Sequence, residues 1–275
     1  MNPLEIAQFI GIPVAVATGL SIVSWWFFSS KRRQPLGVLI AVGCSALVAF
    51  ALQEGMPSVP PTQKWHWLIL TVLIVFFLAC LYSLFSKWDK RIILQALIAG
   101  IVAAVFMQFP GQSSVLDRII IFLLVLFVSV GLRRLRIPAW HMYIVAWSVL
   151  ASLSILALQA SFAKLAFFSG AMSAVSAAMF VLQLCKPRET KSVQMLFGVI
   201  IVGCAMCGLA YDPSHAVPMF AWYLPLIGIT IAAIAFLLCK PKFRSVISIG
   251  LLELCLLASV IWTIVQSTPQ DDMWP

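Results

Sequence analysis

Residues 133–188 read RRLRIPAWHMYIVAWSVLASLSILALQASFAKLAFFSGAMSAVSAAMFVLQLCKPR. Between the basic, proline-bearing stretches at its two ends, positions 139–185 hold a single charge, Lys164. A helix that crosses a bilayer uses about 20 mostly apolar residues, and tilt adds only a few more. The 48 residues from 138 to 185 are about twice what one crossing can use, so a turn must fall at their weak polar break, 159–164.

The same alternation of apolar run and short polar break extends in both directions. It predicts an all-α integral membrane protein, a polytopic bundle of about ten transmembrane helices with short loops. The spans are expected near 6–28, 36–52, 67–85, 92–109, 119–132, 139–158, 165–185, 193–211, 217–239 and 246–265. These breaks leave no room for an extramembrane domain, so residues 1–275 form a single transmembrane domain on this reading. Ten spans also permit two five-helix inverted halves. Composition agrees: 63% of residues are apolar, 10% are charged and the mean hydropathy is +1.06. A soluble domain carries about 25% charged residues.

Charge distribution supplies an orientation, because Lys and Arg in short loops stay on the cytoplasmic side. Every second turn carries three basic residues: Lys31, Arg32, Arg33; Lys87, Lys90, Arg91; Arg133, Arg134, Arg136; Lys186, Arg188, Lys191; Lys240, Lys242, Arg244. Those five turns hold fifteen of the 18 Lys and Arg residues; the others are Lys64, Arg118 and Lys164. An even number of spans then places both termini on the non-cytoplasmic side of what is read as the cytoplasmic (inner) membrane. Residues 1–9 contain Glu5 and no basic leader, so the first run is expected to be a retained span rather than a signal peptide. The net charge of +9 is gathered in these turns, which favours anionic lipid headgroups as partners and disfavours nucleic acid.

Trp and Tyr residues gather near the span ends, as interfacial anchors do, and only Trp147 is expected to lie deep. All seven cysteines fall within or at the ends of apolar runs, so no disulfide framework is expected. Cys204 and Cys207 form C-x-x-C in mid-span beside Gly203 and Gly208, a setting for small packing residues rather than redox chemistry. Residues 184–188 (LCKPR) and 238–242 (LCKPK) resemble each other at an offset of 54. The likeness reads either as a duplicated hairpin or as the common need of a basic turn for a helix breaker.

Glu253 is the most informative residue. It follows Arg244 by nine positions, about 13 Å along a helix at about 1.5 Å per residue, near the bilayer midplane. A carboxyl at that depth must be protonated, paired or turned to a polar interior, and intramembrane ionisable groups are functional candidates by default. Trp147, Ser148 and Ser152 of span six, with Ser169, Ser173 and Ser176 of span seven, are the candidates to line a path; the competing reading is interhelical hydrogen bonding. Small residues at four-residue spacing mark candidate close-packing faces: Gly11, Ala15, Gly19; Ala96, Gly100, Ala104; and Ala166, Gly170, Ala174, Ala178. These helices are expected at the bundle centre, with span seven the most buried. Pro13 and Pro225 each free a carbonyl that a neighbour must meet.

His66, His141 and His215 sit at span ends or in a turn, and H-E-x-x-H, G-x-S-x-G, P-loop and dinucleotide motifs are missing. No cofactor, metal or enzymatic activity is therefore expected. Two classes of function remain. One is a transporter or permease-like protein moving a small solute, with Glu253 as a proton-coupling or substrate-contacting carboxyl. The other is a non-catalytic structural or assembly subunit that packs against membrane protein partners or further copies of itself.

Overall fold

A computed structural model describes residues 3–27, 34–55, 61, 63–84, 92–111, 114–135, 139–187, 192–212, 216–240 and 243–267. Among these the regular structure is helical: α1 (Pro3–Phe27), α2 (Gln34–Glu54), α3 (His66–Leu84), α4 (Ile92–Phe106), α5 (Val115–Arg134), α6 (Ala139–Gln159), α7 (Ala163–Cys185), α8 (Val193–Ala210), α9 (Met219–Leu238) and α10 (Arg244–Ser267). All but α4 are long and apolar enough to cross a membrane. In hydrocarbon every backbone group must be satisfied within its own segment, which is why continuous apolar runs become helices rather than strands.

The turns are built by local chemistry. Ser114 opens α5 with a capping box: its hydroxyl accepts from the Asp117 amide, while the Asp117 carboxylate accepts from the Ser114 amide at 3.1 Å. The weak break after α6 is a Schellman turn. Ser161 takes the left-handed conformation at φ 57°, its amide reaches the Leu158 carbonyl, and the Phe162 amide reaches that of Ala157. Lys186, the residue before Pro187, is extended and ends α7. The Asp212 carboxylate accepts from the amides of Ala216 and Val217 and shapes the approach to α9.

Packing has a hub and a ring. Every consecutive helix pair touches, and α8 is in contact with α2, α3, α4, α5, α6, α7 and α9, which close a circle around it. Helix α1 lies outside the circle on α2 and α7, and α10 lies outside it on α6 and α9. Exchange of two halves of five would pair α2 with α6 as α1 pairs with α7. Among the described residues α2 and α6 do not meet, so packing follows the hub.

Two expectations are corrected here. The most buried span is α8 rather than α7: every residue from Val193 to Gly208 is buried. Helix α1, placed at the centre by its small-residue stripe, is peripheral, with 17% of its apolar window buried against 89% for α8. Gly11, Ala15 and Gly19 are exposed, and nothing stands within 4 Å of where a Cβ would be on either glycine. The reason is that lipid is as apolar as a protein core, so apolar periodicity carries little information about which face turns inward. The other stripes do pack: Gly100 against Phe122 of α5, with Ala96 buried and Ala104 half-buried, and Gly170 against Ser154 of α6, with Ala174 and Ala178 half-buried. Cys204 and Cys207 are buried free thiols in the hub, and Gly203 and Gly208 face Leu68 and Trp222.

Of the basic turns, Arg133, Arg134, Lys186, Lys240 and Arg244 are described; the other ten cluster residues lie outside the described residues, as does His215. Two expected interfacial anchors, Trp65 and Trp222, are instead buried inside the bundle, at 2% and 1% exposure.

Candidate functional site

Glu253 lies near the middle of α10 and is half-buried. Its side chain borders a groove of about 460 Å³ between α10 and α6. From α10 come Glu253, Leu256, Leu257 and Val260; from α6 come Ile144, Trp147, Ser148, Ala151, Ser152 and Ile155. The spacings of three and four residues on both helices are those of a single helical face. Trp147, expected to lie deep, is 40% exposed and forms a groove wall open to the surroundings.

Three of the sequence-predicted path residues, Trp147, Ser148 and Ser152, thus meet Glu253 on one surface. Among the described residues no hydrogen bond or ion pair reaches the Glu253 carboxyl, and the buried Ser152 hydroxyl has no partner. Ser169, Ser173 and Ser176 do not join them. Ser169 and Ser176 donate to the Leu165 and Met172 carbonyls of their own helix, and Ser173 donates across to the Trp147 carbonyl at 3.0 Å. Ser154 of α6 likewise donates to the Ala166 carbonyl. Helix α6 therefore carries two polar faces, one closed against α7 and one left open toward α10.

At the end of the groove where α10 begins, Ser248 and His141 approach at 3.5 Å, and the Arg244 guanidinium stands over Phe236 at 4.6 Å. Pro225 leaves the Ala221 carbonyl without its helical donor, and Ser259 of α10 supplies one at 2.8 Å. That bond, with Gly228 against Leu252 and Cys255, holds α10 to α9 and leaves its Glu253 face toward α6.

Two further polar clusters lie outside the groove. At the far end, Glu54 of α2 pairs with Lys164 of α7 and lies 3.5 Å from the His66 Nε2 of α3. Phe50, Trp65, Phe162 and Tyr211 form a chain of ring contacts beside it, and the Tyr211 hydroxyl accepts from the Trp65 amide. Glu54 and His66 bracket the turn between α2 and α3, but Lys164 opens α7, so no local spacing relates the ion pair. In the interior the Gln194 side chain of α8 donates to Gln95 of α4 at 3.1 Å, one of the hydrogen bonds expected of polar residues within spans.

Among the described residues no three His, Cys, Asp or Glu side chains are grouped to hold a metal ion. The arrangement around Glu253 offers one chemistry: a lone carboxyl in an apolar groove that can hold a proton or meet a positively charged group. A comparison with protein-family models and with curated proteins returned no match.

Proposed function

We propose that this membrane protein is a carrier for a small solute, with the α6–α10 groove as its binding site and Glu253 as the group that exchanges a proton for that solute. The observation that supports it is the convergence of Glu253, Ser148, Ser152 and Trp147 on a groove of about 460 Å³, within the usual size of small-molecule sites, about 300–1,000 Å³. A carboxylate facing hydrocarbon is costly, so a neutral, protonated acid and a carboxylate covered by solute are the two states the position favours. Alternation between them couples solute movement to protons. The basic turns support an inner-membrane orientation with both termini on the non-cytoplasmic side.

The test is uptake driven by a pH gradient into proteoliposomes, across labelled cationic, neutral and anionic small solutes. Wild type is expected to concentrate at least one of them, and Glu253→Gln to reduce that uptake to the level of empty liposomes. Uptake unchanged in Glu253→Gln overturns the role of the carboxyl; no uptake of any solute overturns the carrier reading.

A second reading, an assembly subunit of a membrane complex, draws on a different observation. The exposed Gly11, Ala15 and Gly19 face of α1 leaves room for another helix to approach closely. Stoichiometric copurification of a second membrane protein in mild detergent, lost in Gly11→Leu/Gly19→Leu, is the result that would favour it.

A further inference from the structure

The α6–α10 groove also carries a statement about what it binds. Its walls are apolar except for the Glu253 carboxyl and the two serine hydroxyls, and a tryptophan ring stands on the α6 side. The elements packed against α10 are α6 and α9. The only titratable or charged side chain within described α9 is Tyr223, and on α6 the groove lining has none. His141 and Arg244 belong to the end of the groove where α10 begins, nine residues before Glu253 in the case of Arg244. Among the described residues no basic side chain lines the groove beside the carboxyl, which leaves the position open to a counter-charge carried by a ligand.

We infer that the groove binds an amphiphilic organic cation, its charged centre between the Glu253 carboxylate and the Trp147 ring and its apolar body along Ile144, Ile155, Leu257 and Val260. A carboxylate in an apolar setting attracts a weakly hydrated organic cation far better than a strongly hydrated metal ion, whose water shell the walls cannot replace. The face of a Trp ring adds cation–π attraction. The unpartnered Ser152 hydroxyl, 4% exposed and facing the groove, is an acceptor or donor for any polar group beside the charged centre. Because α10 is an outermost helix and Trp147 and Leu257 on the two walls are exposed, the ligand reaches the groove sideways from the bilayer, where amphiphilic cations concentrate. The cation and a proton compete for the same carboxyl oxygens.

This ligand class rests on the carrier reading for its purpose, but its test does not. Tritiated tetraphenylphosphonium is titrated against the full chain in phosphatidylcholine nanodiscs at pH 5 and pH 8, with tetraphenylborate as the anion of matching shape. Wild type is expected to bind the cation saturably, about one per chain, more tightly at pH 8. Glu253→Gln is expected to weaken binding about tenfold or more and to abolish its pH dependence. Trp147→Leu, which leaves the carboxyl in place, is expected to weaken it by about threefold to tenfold and to keep the pH dependence. Equal affinity in Glu253→Gln, equal binding of tetraphenylborate, or no saturable binding overturns the inference. Uptake of a neutral or anionic solute without cation binding leaves the carrier standing and removes this ligand class. Cation binding without uptake of any solute does the reverse.

Discussion

Pro225 shows how a single residue shapes this protein. It removes one backbone donor from α9, and the carbonyl left over at Ala221 is met by the Ser259 hydroxyl of α10 at 2.8 Å. Ser259→Ala is expected to lower stability by about 0.6–2 kcal/mol, above the common value for interhelical bonds in membranes because a freed carbonyl is left in hydrocarbon. Thermal unfolding in detergent, followed by size-exclusion chromatography, measures it; the same midpoint as wild type would mean that water or another donor meets Ala221. The need of Pro225 for a partner was legible in the sequence, but the identity of that partner was not, since Ser259 is 34 positions away and α10 could have turned any face to α9. Glu253 is the opposite case. Its place near the middle of α10 followed from counting along one helix, and a lone charge in an apolar run needs no tertiary information to stand out.

At the scale of the helices, boundaries were legible where they are set locally, by the cap at Ser114, the left-handed turn at Ser161 or the proline after Lys186. The Schellman turn at Ser161 lies within the break expected at 159–164. Which helix lies inside was not legible. The small-residue stripes of α1 and α7 look alike in sequence, yet Gly19 faces open space and Gly170 faces Ser154. Substitutions report the difference directly. Gly203→Leu in α8, where Leu68 and Met107 already fill the space, is expected to cost about 1–3 kcal/mol or to block folding. Gly19→Leu on α1 is expected to stay within about 0.5 kcal/mol of wild type. Equal losses in the two variants, read as recovery of monodisperse protein and unfolding midpoint, would contradict a buried α8 and a peripheral α1. The serines follow the same logic: those of α6 and α7 share composition, and only the neighbour each meets, α10 for Ser148 and Ser152 and α6 for Ser173, separates them.

For the whole molecule, the ring around α8 leaves α1 and α10 outside it, and it is α10 that brings the carboxyl to a groove open at the outside of the bundle. The alternation of basic turns predicts the orientation of this assembly. Single cysteines at Lys186 and Lys240, in a background freed of other cysteines, are expected to react with a membrane-impermeant maleimide only after the cytoplasmic side is opened. A cysteine at Lys164 is expected to react from the opposite side, and the reverse pattern would invert the molecule. The most direct measurement of the account as a whole concerns the groove carboxyl itself. Dicyclohexylcarbodiimide partitions into apolar surroundings and modifies protonated carboxyl groups, and peptide mass spectrometry locates the adduct. The account predicts an adduct on Glu253 that forms faster at pH 5 than at pH 8 and is suppressed by tetraphenylphosphonium. An unmodified Glu253, or one modified at the same rate with the cation present, would contradict it.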